Sequence, residues 1–102
     1  MIQSDKLTVY IDSDIEDLIP GFLENRHKDV QSVLKALDKG DYEAIRYLGH
    51  IMKGAGGGYG FDTISEIGEA LEQAAGHRDS RSIRRMVNQL TEYLERIEVV
   101  FQ

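Results

Sequence analysis

The C-terminal segment sets the strongest constraint on the fold. Ile83, Val87, Leu90, Leu94, Ile97 and Phe101 step by four, three, four, three and four residues. That spacing keeps the apolar side chains on one stripe of an α-helix, the pattern of a seam that faces other helices. Such a stripe cannot be buried alone, so the rest of the chain must supply the helices that cover it. Asp79 or Ser80 is placed to cap its start.

Three further stripes are present. Ile64, Ile67, Leu71, Ala74 and Ala75 form one; Thr63 and Glu66 are spaced as a capping box before it. Gly76 suits its end, where a left-handed residue is favoured. A second stripe, Ile45, Leu48, Met52 and Ala55, opens at the capping residue Asp41. The first long stripe runs through Ile19, Leu23, Val30, Val33, Leu34 and Leu37 and closes at Gly40. It is broken at Arg26 and His27. Pro20 cannot lie deep in a helix without removing a hydrogen bond, so Asp14 to Ile19 reads as a short separate helix or the near side of a kink. The links at 39–41, 58–62 and 76–80 are short, which argues antiparallel neighbours. The predicted fold is all-α: an antiparallel up-down-up-down four-helix bundle with a short extra N-terminal helix, in one domain over residues 1–102. Only "KLTVYI", residues 6–11, has strand character, and it is set aside as short and terminal.

Composition excludes several function classes. There is no cysteine, hence no disulfide, thiolate metal site or thiol nucleophile. A net charge of -6 argues against a nucleic-acid partner. No apolar run approaches the roughly 20 residues of a membrane span, and the polar N-terminus does not read as a signal peptide. A cytoplasmic location is expected.

Glycine concentrates beside the central histidine in "LGHIMKGAGGGYGF", residues 48–61. Each glycine inside a helix costs up to about 1 kcal/mol relative to alanine. On a wheel of about 100° per residue, the inward stripe centres near about 320° from Ile45 and His50 falls near about 140°. His50 is therefore expected on the solvent side. Arg46 and Tyr47 lie four and three residues before it, Lys53 and Gly54 three and four after it, the spacings that touch. Gly57 continues the same face. Glycine there removes bulk and lets something large approach the imidazole. Imidazole is a competent nitrogen nucleophile at neutral pH, and a lysine one turn away suits an anion on that nitrogen. Phosphate is the natural candidate. Glu72 falls near about 80° on the next helix, whose apolar face centres near about 350°. From that flank its carboxylate could accept the Nδ1 hydrogen and leave Nε2 free.

"HIMKGAGGGYG", His50 to Gly60, resembles HPt (histidine-containing phosphotransfer) domains: His, two residues, Lys-Gly, and a glycine ten positions after the histidine. "LGH" before it and "EIGEALEQAA" after it are similar too, and the four-helix reading covers a whole domain of this kind. The resemblance implies a phosphorelay role. His50 would take a phosphoryl group from a receiver-domain aspartate or a kinase and pass it to another receiver. Lys53 would support the phosphate, and Gly54 would permit close docking. Many members carry glutamine where Glu72 stands; the HPt domain of chemotaxis kinases has glutamate. The run Gly56-Gly57-Gly58 departs from the pattern and places a fraying end of the helix before Gly57. The chain resembles no nucleotide-binding kinase domain, so it reads as a phosphocarrier without its own cofactor, with magnesium expected on the partner receiver. Its expected partners are response-regulator receivers and a histidine kinase; a monomer is expected. Some of Ile15, Leu18, Ile19 and Phe22 are expected to remain exposed near His50 and to form the receiver-binding patch with Gly54 and Gly57, with Arg46 on the cationic flank.

Other readings of these residues fare less well. The glycines do not match G-x-G-x-x-G or G-x-x-x-x-G-K-[ST], and no strand precedes them. His27, His50 and His77 are 23 and 27 residues apart, too sparse for a metal site. His27 and His77 read as surface residues. Arg81, Arg84 and Arg85 read as a solvated face, with contact to an acidic partner as the lesser alternative. The competing function is a helical adaptor that docks receivers without carrying phosphate.

Overall fold

The computed structural model describes residues 6–102. The opening residues, on which the expectation of no signal peptide partly rests, lie outside the described residues. The elements in order are β1 (Leu7–Ile11), a 3-10 helix (Ser13–Leu18), α1 (Ile19–Asp38), α2 (Tyr42–Tyr59), α3 (Asp62–Gly76), α4 (Ser80–Arg96) and β2 (Ile97–Phe101). The four long helices form the bundle, each packed on its sequence neighbour, with α1 also against α4. No helix among the described residues is long and apolar enough to cross a membrane.

The helix starts follow local chemistry. Asp41 accepts from the Ala44 amide at 3.1 Å, and Asp79 accepts from the Ser82 amide at 3.1 Å and the Ser82 hydroxyl at 2.7 Å. Those Ser82 bonds hold the Asp79 carboxyl below its usual range. Pro20 stands in the first turn of α1, where its missing amide hydrogen costs nothing, and the 3-10 helix precedes it. Gly40 adopts φ +66° and lets the Asp41 amide return to the Ala36 carbonyl at 2.8 Å.

Several expectations are corrected. The strand set aside at residues 6–11 exists, and α4 stops at Arg96 rather than running through Phe101. β1 pairs in parallel with β2, Leu7 with Ile97 through Ile11 with Phe101. The helical stripe misled at its end because Ile97, Val99 and Phe101 also alternate with period two; all three pack half-buried on the core. The Thr63–Glu66 capping box does not form, since the residue before α3 is Phe61, without a side-chain cap. The left-handed residue after α3 is Arg78 (φ 53°), not Gly76. α2 does not fray before Gly57; it continues to Tyr59 and closes at Gly60, φ +92°, with the Phe61 amide on the Gly56 carbonyl at 2.8 Å.

The break in the α1 stripe also resolves. Arg26 is buried, its guanidinium 4.7 Å above the Phe22 ring and its Nε donating to Asp29 at 2.8 Å. Burial pushes the Asp29 carboxyl above its ordinary value, against the pull of Arg26. His27 is exposed.

The closest helix pair is α2 and α3. The deepest residues of α2 are Ile45, Gly49, Met52 and Gly56; Leu48 and Ala55, expected inward, are only half-buried. A Cβ on Gly49 would stand 2.7 Å from the Glu72 amide nitrogen, and one on Gly56 2.6 Å from that of Ser65. From the other side, a Cβ on Gly68 would stand 2.5 Å from the Lys53 amide nitrogen. Backbone therefore meets backbone along this seam. The Ser65 hydroxyl ties it by donating to the Lys53 carbonyl at 2.8 Å. Gly68→Ala should force the helices apart and destabilise the protein by about 1–3 kcal/mol. Gly58→Ala, where nothing lies within 4 Å, should stabilise it by about 0.5–1 kcal/mol. Urea denaturation of the two variants checks the contrast in sign.

Candidate functional site

α2 turns one face to solvent, and His50 lies on it. Its side chain is 69% exposed. Around it, by the wheel, come Arg46, Glu43, Tyr47, Gly54, Gly57, Gly58 and Ile51, spread from about 100° to about 240° from Ile45. Gly54 and Gly58 face open space, and Gly57 would bring a Cβ only to ordinary contact with Ser65 Oγ at 3.7 Å.

Glu72 reaches this face from α3. The close approach at Gly49 brings the Glu72 backbone alongside α2, and its Oε2 stands 3.2 Å from His50 Nδ1. Glu72 is 25% exposed, so its carboxylate is held at the helix junction while the ring projects outward. A carboxylate only accepts, so Nδ1 carries the hydrogen in this contact, and in the neutral ring the lone pair is then on Nε2. His50, Glu72, Arg46 and Tyr47 line one open concavity of about 610 Å³.

Both cations of the site are engaged elsewhere. Lys53 Nζ stands 3.8 Å from Glu69 on α3, the two side chains being about half exposed. Such a pair is worth about 0–1 kcal/mol and is readily exchanged. Arg46 donates to Glu43 one turn back, which lowers the Glu43 pKa and raises that of Arg46.

The four apolar residues expected beside the histidine divide. Ile19 and Phe22 are buried, which removes them from any docking surface: Phe22 stacks on Tyr59 and Phe61 at ring-centroid distances of 4.6 and 5.1 Å. Ile15 is half-buried against the core. Leu18 alone is open, 54% exposed, just before α1. The Phe22–Tyr59 stack sets this end of α1 against the last turn of α2, about 13 Å along the helix from His50. The exposed apolar residues flanking His50 on its own helix are Tyr47 and Ile51, 66% and 41% exposed. The sequence reading missed Ile51 as a surface residue. Its wheel angle, about 240°, was the available signal.

Compared with known protein families, the chain matches the model of the Hpt domain over residues 17–99. The protein belongs to the Hpt domain family. Curated proteins and solved structures give no significant match. Hpt domains serve histidine phosphotransfer in two-component phosphorelays, whose other members are kinases and receiver domains. The match includes α1 to α4, His50 and Glu72, and leaves β1 outside it.

The His50–Glu72 contact has a direct readout. Nitrogen-15 NMR of the imidazole at a pH where it is neutral should find the hydrogen on Nδ1. Glu72→Ala should move population to the Nε2–H tautomer, and Glu72→Gln, whose carbonyl can still accept, should move less.

Proposed function

We propose that this Hpt domain is a phosphocarrier in which His50 Nε2 takes a phosphoryl group from a receiver aspartate or a kinase and hands it to another receiver. The observation that carries the reading is the 3.2 Å contact from Glu72 to Nδ1 of a histidine otherwise open to solvent. In the step from a receiver, the Nε2 lone pair attacks phosphorus. The P–N bond forms as the bond from phosphorus to the aspartyl oxygen breaks, and the aspartate leaves as a carboxylate. The Nδ1 hydrogen stays in place, so the ring becomes cationic as the phosphoryl arrives. Glu72 faces that developing charge, which makes it an orienting and stabilising residue rather than a proton acceptor.

Lys53 fits a later moment. It exchanges Glu69 for the phosphoryl oxygens once they are on Nε2, a charge-assisted contact that replaces a weak surface pair. Magnesium belongs to the receiver in this reading. For docking, Gly54 and Gly58 form a flat strip bordered by Tyr47 and Ile51, with Gly57 beside it. Arg46 supplies charge on the opposite flank. A flat strip with apolar borders excludes water from a small contact, as transfer between two proteins requires.

Incubation with phosphorylated receiver domains, followed by phosphosite mapping, tests this. Acid-labile, alkali-stable phosphate is expected on His50 and none on the folded His50→Gln variant. Gly54→Gln should cut the transfer rate at least about tenfold through obstruction of the partner, with helicity unchanged. Binding of receivers with no phosphate uptake by the wild type would favour the adaptor reading instead.

A further inference from the structure

β1 is lightly covered: of its five residues only Ile11 is buried. Among the described residues its only ladder partner is β2, on one side. It lies outside the residues matched to the Hpt family, so the bundle's role does not account for it. Leu7 is 39% and Tyr10 61% exposed. From Leu7 to Ile11 it carries no charge, proline or bulge, the devices that normally protect a strand edge from pairing.

The hydrogen-bond phase of this edge can be read. The Gln102 amide donates to the Ile11 carbonyl at 3.0 Å, and the Ser13 amide to the Gln102 carbonyl at 2.9 Å. Alternate residues of a strand present their amide groups to opposite sides. Leu7, Val9 and Ile11 therefore turn theirs toward β2, while Thr8 and Tyr10 turn theirs to the open edge. The outer edge of β2 is less free, because the Ile97 amide is already given to the Tyr93 carbonyl at the end of α4.

The sequence Lys6 to Asp12, "KLTVYID", is complementary to itself in reverse. A two-fold axis through Val9 sets Thr8 opposite Tyr10 of a second copy, Leu7 opposite Ile11, and Lys6 opposite Asp12. The facing residues Thr8 and Tyr10 are those whose amides point outward, the parity an antiparallel ladder needs. Asp12 uses one carboxylate oxygen to take the Asp14 amide at 2.8 Å, which leaves the other to accept from lysine. Opposite charges and a Thr–Tyr pair across strands each contribute favourably. A slip of two residues one way sets Lys6 opposite Tyr10, and the other way opposite Asp14, which lies in the 3-10 helix and off the strand; a slip of one sets mismatched amides face to face.

We infer that β1 is a self-association edge, on which a second copy of the chain adds its own β1 antiparallel to form a continuous four-stranded sheet. Five residues per copy bury well under the roughly 1,600 Å² of a standard interface, so the dimer is weak and dissociates on dilution. The expected monomer is then the dilute form. His50 takes no part, so the test stands apart from phosphotransfer.

Sedimentation velocity and NMR translational diffusion from micromolar to about 1 mM, a range suited to weak contacts, read the association. Circular dichroism monitors the bundle in each variant. Wild type should dimerise at the upper concentrations. Lys6→Glu, which faces two like charges across the axis, should weaken association about tenfold or more. Adding Asp12→Lys to it should restore the dimer. Thr8→Pro removes an outward amide without touching the bonds to β2 and should abolish dimerisation with helicity intact. A wild type that stays monomeric throughout overturns the proposal. So does a dimer that survives Thr8→Pro, or a double variant that fails to regain it.

Discussion

The backbone contact between α2 and α3 is the constraint on which the site depends. Gly49, Gly56 and Gly68 leave no room for a Cβ, so the two helices approach until main chain meets main chain. Only at that separation does a glutamate on α3 reach the imidazole of a residue on the outer face of α2. With larger residues at the seam, Glu72 would lie farther out and His50 would lose its carboxylate contact. The glycines on the other side of α2 serve a different end. Gly54 and Gly58 touch nothing and leave the surface flat, so one glycine-rich helix carries a packing face and an open face about half a turn apart.

That division was only half legible in the sequence. The bundle could be read, because four apolar stripes with short links have few other solutions. The exposure of His50 followed from its angle, and the flank position of Glu72 followed in the same way. The seam glycines escaped because a wheel built from apolar side chains gives glycine no weight. Such a wheel places Leu48 and Ala55 inward, where Gly49 and Gly56 are deeper. Ile19 and Phe22 read as partner-facing because nothing local in the sequence signals that Tyr59 and Phe61 stack on Phe22. The strands were lost for a related reason. Ile97 and Phe101 satisfied a helical spacing, and the partner that makes them a strand lies at the opposite end of the chain.

Charge at the site is arranged in pairs that the surface can give up. Lys53 with Glu69 and Arg46 with Glu43 are exposed contacts between neighbouring turns or helices, of little net worth in water. Both cations, three and four residues from His50 on the same helix, are thus held in pairs that are cheap to break. Arg26 with Asp29 is the opposite case. It lies within α1 with Arg26 buried against Phe22 and Asp29 half-buried, where losing one partner would leave a charge poorly exposed to water. The same residue types thus form exposed, exchangeable pairs on α2 and a part-buried pair within α1.

The parallel ladder has a mechanical consequence. β1 enters it from the N-terminal side at Leu7, opposite Ile97, and β2 leaves it at Phe101, opposite Ile11. Tension applied to the two ends of the chain would draw the strands lengthwise past each other. Every rung would then carry load together, as in a lap joint, instead of opening one after another like a zip. The bundle sits inside the loop that this joint closes. A pull on the termini would reach the helices only after the whole ladder had sheared.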